Sequence, residues 1–79
     1  MNDLLRQVAE LRTDLQALDR RVRSLAEAFD LVDPVPDDDA AAEANLREVV
    51  DGLSDAHLDL STADKHLETV ASHAARLGA

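Results

Sequence analysis

The 79-residue chain carries 17 acidic against eight basic side chains, a formal net charge of −9, and has one phenylalanine but no cysteine, tryptophan or tyrosine. These totals exclude a disulfide staple and the usual aromatic core anchors, and they disfavour nucleic-acid and anionic-membrane binding, which need clustered Lys and Arg. A chain this short rarely buries a core worth more than about 3–5 kcal/mol unaided, so oligomerisation is the expected support.

Twelve of the acids are Asp and only one of the bases is Lys. A salt-adapted or GC-rich origin explains that bias as simply as a functional acidic surface does. A basic protein is the partner type the charge would suit.

The first expected element is a helix over about residues 3–30, opened by Asn2 or Asp3 as N-cap and free of Gly and Pro. Leu4, Val8, Leu11, Leu15, Leu18, Val22, Leu25 and Phe29 follow steps of four and three without a miss. That is a heptad seam with Leu4, Leu11, Leu18 and Leu25 at d and Val8, Leu15, Val22 and Phe29 at a. Its e flank reads Leu5, Arg12, Asp19, Ala26, and its g flank Gln7, Asp14, Arg21, Ala28. A parallel self-pair sets Asp14 against Asp19. An antiparallel self-pair matches Asp14 with Arg21 and Arg12 with Asp19, so these four charges favour the antiparallel orientation, at about 0.2–1 kcal/mol per exposed pair.

Residues 31–37 read as a stiff loop, because Pro34 and Pro36 force extended backbone on Asp33 and Val35 and stop the first helix. Leu31, Val32 and Val35 are expected to lie against something. Asp37, Asp38 and Asp39 then supply a cap and first-turn negative charge for a second helix, over about residues 38–77, closed by Gly78.

The second seam is Ala42, Leu46, Val49, Leu53, Ala56, Leu60, Ala63, Leu67, Val70, Ala74 and Leu77. Its d positions lean toward alanine, and Val50, His57 and Ala71 widen the stripe on the e side. That breadth suits a bundle helix with more than one neighbour. Gly52 sits mid-helix, where close backbone approach or simple tolerance would explain it.

Folding at the loop sets Phe29 by Ala42, Leu25 by Leu46 and so on to Leu4 by Leu67, leaving Val70, Ala74 and Leu77 over. Two hairpins packed end for end would cover both those leftovers and the apolar loop. The expectation is therefore a single all-α domain over residues 1–79, an antiparallel helical hairpin of coiled-coil type that dimerises into a four-helix bundle. The layout resembles small dimeric four-helix bundles built from two hairpins, a likeness of shape that says nothing of function. The Trp-x-Gly turn of secreted helical hairpins is absent.

No enzyme constellation emerges: there is no thiol nucleophile and no glycine-rich phosphate loop. No catalytic residue, metal site or cofactor is expected. His57, His66 and His73 lack partner ligands at three- or four-residue spacing, so only a site between chains could use them for a metal. Glu48, Asp51, Asp55 and Asp59 form one acidic stripe. Helical pyrophosphatases build magnesium sites from such carboxylates, but the matching motif on the first helix is missing, and a solvated face is expected. No segment approaches the ~20 apolar residues of a membrane span, and a cytoplasmic location is expected. The leading functional expectation is a non-enzymatic oligomerisation or adaptor module that presents an acidic surface to other proteins. The alternative is an acidic inhibitor or antitoxin-like protein that masks a basic or nucleic-acid-binding partner.

Overall fold

A computed structural model describes residues 2–32 and 40–78. Helix α1 spans Asn2–Asp30 and helix α2 spans Ala40–Gly78, and the two pack as an antiparallel hairpin. Gly78, expected to close α2, is helical. Val35, the prolines and the Asp37–Asp39 cap lie outside the described residues.

Helix α1 is built from good helix formers and runs unbroken for 29 residues. Its last turn tightens into three-residue steps: the Leu31 N–H donates to the Ala28 carbonyl at 3.2 Å and the Val32 N–H to the Phe29 carbonyl at 3.1 Å. Helix α2, with 39 residues, is about 58 Å long at ~1.5 Å per residue. That length nearly accounts for the 64 Å long dimension of a molecule only 14 by 11 Å in its other two Cα extents.

Two cross-helix contacts set the register. Arg12 meets Asp64, and Asp19 meets His57, so one heptad up α1 is matched by one heptad down α2. The same stepping brings Leu5 level with Ala71 and Ala26 level with Val50. The register expected from the seam is one heptad away: it would have brought Arg12 to His57, Asp19 to Val50 and Leu5 to Asp64. Two of those three contacts set a carboxylate against an aliphatic chain, whereas the observed slide matches polar with polar and apolar with apolar. The overhang changes accordingly. Helix α2 is centred on α1 and protrudes by roughly five residues at each end, so Val70 has α1 beside it and only the last turn, with Leu77, runs past.

The contact face is also rotated from the expected one. On α1 the partly covered positions are Leu5, Val8, Arg12, Leu15, Asp19, Val22, Ala26 and Phe29, the a and e columns, together with Ala17. Leu4, Leu11, Leu18 and Leu25, expected in the hairpin seam, stay 57, 54, 46 and 49% exposed. On α2 the partly covered set is the a column Leu46, Leu53, Leu60, Leu67 and Ala74, the e column Val50, His57, Asp64 and Ala71, the d alanines Ala42, Ala56 and Ala63, and Ser61. The e columns explain the rotation. They are mutually complementary down their length, and joining them turns the d leucines of α1 outward together with Val49, Val70 and Leu77 of α2, while the d alanines stay partly covered.

Leu31 and Val32 are exposed, at 85 and 49%, among the described residues. Among the described residues no side chain is fully buried.

Candidate interaction surface

The hairpin has two unlike broad faces, because the e columns meet and the positions to either side of the contact fall on opposite faces. On one side Gln16, Arg20 and Arg23 of α1 and Ser61, Lys65 and Glu68 of α2 line a polar groove floored by Leu15 and Leu60. On the other side lie the d columns of both helices. Leu4 is within about two residues' height of Val70, Leu11 of Ala63, Leu18 of Ala56, and Leu25 of Val49. This face is apolar and open. Leu18, Val22, Leu25 and Ala28 line a shallow groove along its α1 edge with Arg21 and Ser24.

The polar groove holds the ladder that joins the helices. Arg12 donates through Nε to Asp64 Oδ1 at 3.1 Å and through Nη2 to Asp64 Oδ2 at 3.4 Å, a two-point fork that fixes direction as well as distance. Glu68 Oε2 stands 3.8 Å from the same guanidinium. The Asp64 carboxyl is held below the usual carboxylate range, first by the hydrogen bond from Arg12 and against the opposing effect of its partial burial. Arg12 is raised in turn, chiefly by Asp64.

One heptad along, His57 Nδ1 lies 2.6 Å from Asp19 Oδ1. An ionised carboxylate only accepts, so Nδ1 carries the hydrogen. Arg12 and Asp19, expected to set orientation between two chains, are thus engaged inside one chain. Asp14 and Arg21 are exposed at the rim of the apolar face and have no ion-pair partner among the described residues.

The remaining expected residues fall into two groups. Val8, Leu15, Val22, Phe29, Leu46, Leu53, Leu60 and Leu67 are half-covered between the helices, whereas Leu4, Leu11, Leu18, Leu25, Val49, Val70 and Leu77 are exposed. The acidic residues Glu48, Asp51, Asp55 and Asp59 are exposed too and make no ion pair among the described residues. His66 and His73 are exposed and lie apart from His57. No group of three or more potential metal ligands converges among the described residues, and none of the described helices is long and apolar enough to cross a membrane.

The intramolecular ladder was missed by reading each helix alone. Its signal was present: the α1 column Leu5, Arg12, Asp19, Ala26 answers the α2 column Ala71, Asp64, His57, Val50 read backward.

The architecture is a two-helix hairpin with one polar and one apolar broad face. Comparison with protein-family models, with curated proteins and with solved structures finds no match to the chain.

Proposed function

We propose that this protein is a non-enzymatic assembly module, a hairpin that dimerises through its apolar face into a four-helix bundle and presents its acidic outer surface to other proteins. The observation that carries the reading is the row Leu4, Leu11, Leu18 and Leu25, about half exposed, on a hairpin in which no described side chain is fully buried. A second layer of helices would give both seams an interior. The exposed carboxylates Glu48, Asp51 and Asp55 of α2 support the outward role, since they lie off the apolar face and make no ion pair among the described residues.

Solution mass by light scattering across a hundredfold dilution, in low and high salt, is the test. The expected result is a dimer that tightens as salt screens the −9 charge of each copy. Replacing Leu18 by Asp should abolish the dimer and helix content together. A folded Leu18→Asp monomer would overturn the scheme, because the hairpin would then stand without its second layer.

A further inference from the structure

We infer that the two copies lie face to face with their hairpins pointing the same way, so that α1 of each covers α2 of the other. The inference rests on the dimer reading above and deepens it by naming the arrangement.

The argument is one of size. The two d columns share one face but differ in bulk. Helix α1 presents Leu4, Leu11, Leu18 and Leu25, while the α2 column at closely matching heights has Val70 and Val49 exposed and Ala63 and Ala56 partly covered and set back between them. The centre of the face is therefore a ridge of Leu11 and Leu18 beside a trough over Ala63 and Ala56.

A twofold axis along the hairpin sets ridge over trough twice: Leu11 and Leu18 of one copy enter the space over Ala63 and Ala56 of the other. The end-for-end arrangement instead sets α1 on α1, so leucine abuts leucine on one side while alanine faces alanine across a void on the other. The charge argument for end-for-end packing has also lost half its basis, since Arg12 is held by Asp64 and Asp19 by His57 within one chain.

The face is large enough. From Val49 to Val70, where α1 lies alongside, it runs about 32 Å at ~1.5 Å per residue, and two helices with side chains are roughly 20 Å across. That is on the order of 600 Å² per copy, or about 1,200 Å² in total, the lower end of the range for a specific interface. A self-complementary ridge and trough on one surface is what a twofold contact requires, and it identifies a second copy of this chain as the occupant.

Because the chain has no cysteine, single Leu18→Cys and Ala56→Cys variants can be oxidised alone and mixed, with linked species read on non-reducing gels and mass by light scattering. The mixture should form the Leu18–Ala56 cross-link several-fold in excess of either self-link. Efficient self-linking of Leu18→Cys would mean α1 on α1, and so would overturn the arrangement while leaving the dimer standing. A dimer whose mixture links no better than either variant alone does the same. A monomeric mass for the unaltered chain overturns both. Circular dichroism of the reduced variants checks the fold first, and if either fails, Leu11→Cys with Ala63→Cys asks the same question one heptad along.

Discussion

Truncating Leu18 to Ala separates the two faces of α1. Leu18 keeps 46% of its surface exposed in the hairpin, so a second copy would cover a little under half of it. Full burial of a leucine is worth roughly 1.5–3 kcal/mol, which makes the part assigned to the dimer about 1 kcal/mol per chain. Two copies contribute, giving about 2 kcal/mol and, at 1.4 kcal/mol per decade, a roughly thirtyfold weaker dimer. Sedimentation equilibrium over a dilution series would read this directly, as a dissociation midpoint shifted to higher concentration. Leu15 is the control: it sits one turn back on the hairpin contact, so Leu15→Ala should lower thermal stability even at concentrations where the dimer is saturated. A Leu18→Ala protein whose dissociation midpoint matches that of the unaltered chain would refute the assignment of the d column to a second copy.

Acid should weaken the hairpin in a way that depends on Asp64. Its carboxyl is depressed by Arg12, so the pair's stabilisation is fully present above the usual aspartate pKa of about 3.9 and is lost as pH falls through the lower folded value. The stability gap between the unaltered chain and Asp64→Asn, followed by urea unfolding, should be widest near pH 7 and close toward pH 2; a gap constant with pH would contradict it. Arg12→Leu alone should destabilise by stranding Asp64, whereas Arg12→Leu with Asp64→Leu should melt at or above the temperature of the unaltered chain, because matched aliphatic pairs often equal ion pairs. Gly52→Ala should add about 1 kcal/mol and raise the melting temperature by roughly 4–8 °C, since a Cβ there meets nothing within 4 Å; an unchanged or lower value would mean that something outside the chain packs against that position.

The two helices and their antiparallel sense were legible because unbroken heptads and the paired prolines leave little else for the chain to do. The face and the register were not. A row of leucines at d looks the same whether a neighbouring helix or a second chain covers it, and aliphatic layers accept many slides. What decides is the polar minority, Arg12, Asp19, His57 and Asp64, whose partners can be found only by comparing the e columns of both helices. The d leucines followed passively once those columns met. The acidic stripe Glu48, Asp51, Asp55 and Asp59 was legible as an exposed face from its spacing alone.

The ladder also works as an address. Sliding α2 by one heptad in either direction leaves Leu15 and Val22 against other leucines, so hydrophobic matching alone would permit several frames. The polar layers do not. One slide sets Asp19 on Asp64, and the other sets Asp19 on Val50 and Leu5 on Asp64. Position 12 is therefore tied to 64, and 19 to 57, as correlated letters: in descendants of this sequence, a change of sign at one site would be viable chiefly alongside a change at its mate. The aliphatic positions between them would be free to drift among leucine, isoleucine and valine.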